Sequence, residues 1–215
     1  MARVAVVDTG LCNVDSMRRA LEECGARVQV TADPEDLRHC DRIVLPGVGA
    51  FPDAMDVLDA AGLADAIREQ SIENSVPLLG VCLGMQLLAT KGFEGRETAG
   101  LDLIDGEVVR LEASSVQTRI PHVGWNEVES RRAHPLFAGI PERADFYFVH
   151  SYHLRCANDA DVLATTPYCG GFTSMVARGN VFGTQFHPEK SQGHGLRLLR
   201  NFVETPGMSG ALGSC

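Results

Sequence analysis

Three short, unbroken apolar runs constrain this chain more than any other feature: Val4-Ala5-Val6-Val7, Ile43-Val44-Leu45 and Leu78-Leu79-Gly80-Val81. Runs of three or four residues are too short for helices, and without polar alternation each would be buried on both faces. Strands of that kind belong inside parallel sheets. Helical periodicity fills the spaces between them. Met17, Ala20, Leu21 and Cys24 recur at helical spacing and end at Gly25; Met55, Leu58 and Ala61 do the same up to Gly62; residues 63–73 continue as a second helix. Val28-Gln29-Val30 adds a strand, and Asp33-Pro34 opens a short helical piece. Strands alternating with helices join through right-handed crossovers, which predicts an α/β fold: a mostly parallel open sheet with helices on both faces.

The second half reads differently. Short strands are expected near 107–109, 126–128, 145–149, 162–164, 172–177 and 181–186, with Gly179-Asn180 as a two-residue hairpin turn, so antiparallel strands should extend the sheet. Leu196, Leu198, Leu199, Phe202 and Val203 mark a closing helix over 193–204. One domain is expected over 1–205, followed by a flexible tail, 206–215, that lacks periodicity. A formal charge of −9 and no long basic run argue against a nucleic-acid partner. An acid already at Asp8 argues against a signal peptide, and no apolar run approaches the ~20 residues of a membrane span. The expected compartment is the cytoplasm. Seven cysteines, an odd number without any C-x-x-C pair, should be thiols.

One cysteine stands apart. Cys82 follows a strand, precedes helical Leu83-Gly84-Met85-Gln86-Leu87-Leu88, and is flanked by Gly80 and Gly84. That is the cysteine counterpart of the nucleophile elbow, where small neighbours permit a strained turn holding the nucleophile out of the sheet; the competing reading is a packed cysteine at a Gly-rich junction. A thiolate attacking an acyl carbon needs a proton carrier, and His187-Pro188-Glu189 offers one at a strand end. In extended backbone, residues two apart face the same way, so Glu189 would orient the His187 imidazole and complete a triad with Cys82. Acyl chemistry also needs oxyanion donors. The Leu83 N–H supplies one by elbow geometry, and Val48 or Gly49, in Pro46-Gly47-Val48-Gly49, a second; the alternative is a simple tight turn. A dinucleotide site is discounted because Asp53 stands where the G-x-G-x-x-G pattern requires glycine. His122, His150 and His153 lack a carboxylate cluster, and a strand would put the last two on opposite faces, so neither metal nor cofactor is expected.

Taken together, Gly80-Val81-Cys82-Leu83-Gly84-Met85-Gln86, Phe186-His187-Pro188-Glu189 and Leu45-Pro46-Gly47-Val48-Gly49 resemble the class I (triad) glutamine amidotransferases, in order and separation across the whole domain. Within that class, Pro121-His122-Val123-Gly124-Trp125-Asn126, Tyr147-Phe148-Val149-His150-Ser151-Tyr152 and Phe186–Ser191 resemble the glutaminase subunits of imidazole glycerol phosphate synthase. The resemblance implies a flavodoxin-like domain in which Cys82 attacks the glutamine side-chain amide, with His187 as general acid and base and Glu189 as its orienter. It further implies that Gln86, Glu94, Ser151 and Tyr152 hold glutamine, and that Asn13, Trp125, Tyr147 and Lys190 face a barrel-shaped cyclase subunit in a 1:1 heterodimer. That partner would take up the ammonia to make imidazole glycerol phosphate and an aminoimidazole carboxamide ribotide. Thr9 and Cys12 stand where many members carry tyrosine and glycine. Alternatives are a glutaminase for another synthase, making pyridoxal phosphate or modifying a sugar, and a non-catalytic regulatory subunit.

Overall fold

The computed structural model describes residues 1–11, 14–116 and 118–205. Asn13, Cys12 and the tail expected over 206–215 lie outside the described residues. In chain order the elements begin with β1 (Arg3–Val7), α1 (Asp15–Glu23), β2 (Arg27–Thr31), β3 (Arg42–Gly47), α2 (Phe51–Ala60) and α3 (Leu63–Arg68). Next come β4 (Leu78–Cys82), α4 (Leu83–Leu87), β5 (Ala89–Gly92), β6 (Thr98–Ala99), β7 (Ile104–Arg110), β8 (His122–Ser130) and β9 (Ala144–His150). The chain closes with β10 (Tyr152–Cys156), β11 (Val162–Thr166), β12 (Phe172–Arg178), β13 (Val181–Thr184) and α5 (Gln192–Glu204).

The main sheet has the order β2-β1-β3-β4-β13-β12-β11-β8-β9. Its first five strands are parallel, and antiparallel pairing takes over from β12 outward. Successive side chains of a strand point to opposite faces, and both faces here are covered. Val4, Val6, Val44, Leu79 and Val81 pack with Met17 and Leu21 of α1 and Leu198 and Phe202 of α5. Ala5, Val7, Ile43, Leu45 and Leu78 pack on the other side with Phe51, Met55 and Leu58 of α2 and Leu63 and Ile67 of α3. Each buried Leu, Val or Phe contributes roughly 1.5–3 kcal/mol, and every residue of β3 and β4 is buried. These two strands are therefore rigid rails for whatever sits at their ends.

Two features depart from the sequence reading. The helix expected over 63–73 is α3 followed by a wide turn, Glu69–Glu73; the Asn180 side chain donates to the Ser71 and Val76 carbonyls there, satisfying acceptors that a regular helix end would leave open. The helix after Cys82 is only five residues long, because the chain leaves it to form a second sheet, β10-β7-β5-β6. In that sheet β5 runs parallel to β7 and is paired with β6. The Gly179-Asn180 turn is present, with Arg178 opposite Val181 across it.

Candidate active site

The C-terminal ends of β3, β4 and β13 lie side by side, as expected for a binding edge of a parallel sheet. Gly47 is directly opposite Cys82 in register. Cys82 has a φ of 54° and a ψ of −110°, a region that favours glycine, so the elbow is strained at the residue itself. Gly80 and Gly84, two residues to either side, allow this because they lack side chains. A Cβ on Gly84 would lie 1.8 Å from the Leu45 carbonyl oxygen, and one on Gly80 would lie 2.5 Å from the Gly84 oxygen. Only glycine lets α4 start this close to β3 and β4.

Cys82 is buried. The elbow turns the sulfur away from the sheet, but β9 and the segment after β13 then wall it in. Sγ donates to the Val149 carbonyl at 3.8 Å and receives the Gln185 Nε2 at 3.7 Å. His187 follows β13, and its backbone N–H donates to the Tyr147 carbonyl at 2.9 Å. Its Nδ1 lies 2.9 Å from Glu189 Oε1, with the two side chains 3% and 8% exposed. A carboxylate only accepts, so Nδ1 carries a proton that it donates to Glu189, and Nε2 is left to face the sulfur. Burial by itself disfavours the imidazolium, but the Cys82 sulfur and the Glu189 carboxylate outweigh it and raise the His187 pKa to about 9. The route from His187 to Glu189 differs from the extended segment expected: Pro188–Lys190 form a single 3-10 turn, and this turn brings the carboxylate back to the ring. The Ser191 hydroxyl pins it by donating to the His187 carbonyl at 2.6 Å and accepting the Tyr147 N–H at 3.0 Å.

A cleft of about 270 Å³ opens beside the sulfur. It gathers Val48, Gly49 and Leu83, the expected oxyanion donors, with Gln86, Glu94, Ser151 and Tyr152, the expected glutamine contacts. Leu83 is the first residue of α4, and Gly49 has a φ of 108°. Glu94 has a structural duty as well: its Oε2 accepts the Phe51 N–H at 2.7 Å, capping the start of α2 just after the Val48-Gly49 turn. The Gln86 amide donates to the Tyr152 carbonyl at 2.8 Å and to Gln185 Oε1 at 3.0 Å. Ser151 and Tyr152 follow β9, at the bend into β10.

Trp125 and Tyr147 face each other across β8 and β9, with ring centroids 6.0 Å apart. Val123 and Val149 are the next pair on the same face, and Trp125, Val123 and Val149 are all exposed. Lys190 is exposed on the turn after His187. These residues make an apolar surface whose far strand passes behind Cys82.

Sequence reasoning missed Gln185, Val149 and a histidine pair. His122 Nδ1 lies 3.1 Å from His150 Nε2, and His150 Nδ1 lies 2.8 Å from the Tyr152 carbonyl. The carbonyl only accepts, so the direction is fixed along the chain: His150 donates to Tyr152, and His122 donates to His150. Burial pushes the His122 pKa down to about 4 and that of His150 to about 3, which keeps both neutral. No spacing in the sequence signals this pair, because a strand register unites them. Among the described residues no group of three or more His, Cys, Asp or Glu is placed to hold a metal ion.

Residues 5–205 match the family model of class-I glutamine amidotransferases. The imidazole glycerol phosphate synthase subunit HisH of Moorella thermoacetica is 48% identical over 204 residues, covering 95% of each chain. The HisH of Chromobacterium violaceum is 45% identical over 212 residues, covering 95% of this chain and 99% of that one. Among solved structures, PurLQS from Thermotoga maritima superposes with a TM-score of 0.73 at 19% identity, covering 94% of this chain and 98% of that one. A structure described as glutamine amidotransferase gives the same TM-score at 22% identity, covering 94% and 97%. These two likenesses concern the fold.

Proposed function

The chain belongs to the class I glutamine amidotransferases, and from that membership we propose that it hydrolyses glutamine through Cys82, His187 and Glu189 and delivers the ammonia to a cyclase partner. Its relatives across nearly the whole length are HisH subunits of imidazole glycerol phosphate synthase, and this chain is the same, glutamine-hydrolysing subunit, acting in histidine biosynthesis. The observation that carries the site assignment is the contact between the Cys82 sulfur at the β4 elbow and the His187 ring that Glu189 holds, with a small cleft opening beside the sulfur.

Glutamine enters the cleft with its side-chain amide over Cys82, and Gln86, Glu94, Ser151 and Tyr152 hold its head group. The sulfur, its proton passed to His187, attacks the amide carbon, and the carbonyl electrons move onto oxygen. Donors at Val48 or Gly49 and at Leu83 receive that oxyanion. His187 then gives its proton to the departing nitrogen, ammonia leaves, and a glutamyl thioester remains. Water attacks next, His187 taking its proton, and glutamate is released as the sulfur is restored. Glu189 keeps Nδ1 protonated throughout, so that Nε2 faces the sulfur.

The partner is a barrel-shaped cyclase held 1:1 on the face of exposed Val123, Trp125 and Val149 and half-buried Tyr147, with Lys190 nearby; Asn13, the other expected contact, lies outside the described residues. A nucleophilic thiol must stay reduced, which fits the cytoplasm as its compartment. Cys82→Ala tests the reading: in the presence of the cyclase it should release no glutamate while keeping partner binding and the parent circular dichroism. Glutamate release within about tenfold of the parent would overturn it, since loss of a covalent nucleophile costs orders of magnitude more.

A further inference from the structure

Gln185 lies between β13 and His187 with no exposed surface, and its backbone N–H is already committed to the Ser174 carbonyl at 2.9 Å. Its side-chain amide reaches both Gln86 and Cys82. Which end faces which is decided by a third group. The Tyr152 carbonyl can only accept, so the Gln86 atom 2.8 Å from it is the amide nitrogen. That same nitrogen lies 3.0 Å from the Gln185 amide, so the Gln185 atom meeting it is oxygen. The nitrogen of Gln185 is thereby turned to the Cys82 sulfur at 3.7 Å.

We propose that Gln185 is a positioning residue for the nucleophile: its N–H, aimed by Gln86 and Tyr152, holds the sulfur in place and favours its anionic form. Two neutral groups act on the sulfur in opposite senses. The Val149 carbonyl, 3.8 Å away, accepts from the protonated thiol and repels an anion. The Gln185 N–H donates, and a donor to an anion stabilises it. Once the proton has gone to His187, Gln185 is the neutral side chain that compensates for Val149. The arrangement needs no motion, because the Gln185 amide is fully buried and its oxygen is already bonded.

This rests on the reading of Cys82 as the glutaminase nucleophile, so the experiment separates the two. The full chain is treated with iodoacetamide across about pH 5.5–10.5, spanning the range over which a cysteine thiol titrates, and alkylation of the Cys82 peptide is followed by mass spectrometry. Two variants are compared with the parent. Gln185→Met keeps length and apolar bulk without a donor, and Gln86 retains the Tyr152 carbonyl as acceptor. Gln185→Glu keeps the shape and an acceptor for Gln86 but turns an oxygen to the sulfur. The titratable groups around the sulfur are His187 and Glu189 after β13, His150 at the end of β9 and Glu94 after β5; Gln185→Met leaves all of them unchanged, whereas Gln185→Glu adds a carboxyl of its own, so Gln185→Met is the deciding variant.

The Gln185→Met profile should move to higher pH, with Cys82 alkylation near pH 6.5 about tenfold slower and rates converging at the alkaline end, the size expected for one hydrogen bond to a charged group. Gln185→Glu should lose more. In the cyclase complex kcat should fall with KM for glutamine nearly unchanged. A folded Gln185→Met variant with the parent alkylation profile overturns the positioning role, even if its turnover is reduced. If Cys82 in the parent is not the reactive thiol, it is the glutaminase reading that fails instead.

Discussion

Glu189→Gln removes one charge and keeps the shape, which makes it the sharpest probe of the triad. The His187 Nδ1–H donates to Glu189 Oε1 at 2.9 Å between two side chains that solvent barely touches, so the bond is charge-assisted and unscreened. A bond of this kind is worth about 1.5–3 kcal/mol, which is about 10–150-fold in rate. Two effects supply the loss. The His187 pKa, held up at about 9, falls because burial is then opposed by Cys82 alone. The glutamine amide can also turn its NH2 toward Nδ1, selecting the tautomer with hydrogen on Nε2 and depriving the sulfur of its base. Neither effect touches Gln86, Ser151 or Tyr152. Steady-state glutamate release by the cyclase complex, measured over about pH 6–10, should therefore show kcat down by about 10–150-fold, KM within about twofold, and the His187 limb of the profile displaced to lower pH. His187→Ala should lose more, because it deletes the proton carrier. A Glu189→Gln enzyme with parent kcat, or one whose loss lies wholly in KM, would refute the argument.

Acid should destabilise the domain through the histidine pair: with folded pKa values of about 4 and 3 against about 6.5 unfolded, His122 and His150 bind fewer protons folded than unfolded, so stability falls as pH drops below about 6.5. At pH 5 the ceiling is about 2 kcal/mol for each; His187, held at about 9, opposes this by somewhat under ~1 kcal/mol between pH 7 and 5, because its unfolded form takes up its proton there, and its own stabilisation disappears as pH rises toward about 9. Urea unfolding at pH 7 and pH 5 checks this, and equal free energies would contradict it. Gly84→Ala should push α4 off β3, since its Cβ would meet the Leu45 oxygen at 1.8 Å. Overpacking costs about 1–3 kcal/mol, and displacing the Leu83 donor should cost roughly 10²–10³ in kcat. Parent melting temperature and parent kcat together would refute the packing argument. The glycines around Val48 make a peptide flip cheap, so the chain alone should turn over glutamine slowly and the cyclase carrying its own ligand should accelerate it by a similar factor. Equal rates for the chain alone, with empty cyclase and with loaded cyclase would eliminate that gate.

What could be read from the sequence is what local chemistry decides. Val4 to Val7 declares a doubly buried strand because Val4 and Val6 enter one core and Ala5 and Val7 the other. Cys82 is legible because the glycines an elbow needs are its own neighbours, and His187 with Glu189 because one turn joins them. The second sheet was not legible. Ala89-Thr90-Lys91-Gly92 has neither apolar alternation nor β-branched density, and it becomes a strand only by pairing with β7. Glu94 could be suspected as a ligand contact from resemblance, but its bond to the Phe51 N–H comes from a chain path that no pattern encodes.

The least legible element is a backbone atom. The Tyr152 carbonyl accepts from Gln86 on one side and His150 on the other, and because it can do nothing but accept, it fixes both. Through Gln86 it orients Gln185 and so decides which atom meets the Cys82 sulfur. Through His150 it orients His122, whose Nε2 is then an acceptor for the Asn126 amide 3.2 Å away; Asn126 shares the inner face of β8 with His122 and is next in sequence to Trp125, which points out. Every backbone has such carbonyls, so no residue type announces this one. It matters because β9 turns into β10 at this point, bringing the wall beside the Cys82 sulfur and the strand pair that carries Trp125 and Tyr147 within reach of the same oxygen. The polar order of the site thus follows from topology, and substitutions at His122 should be felt at Gln86 and Gln185 only through that oxygen.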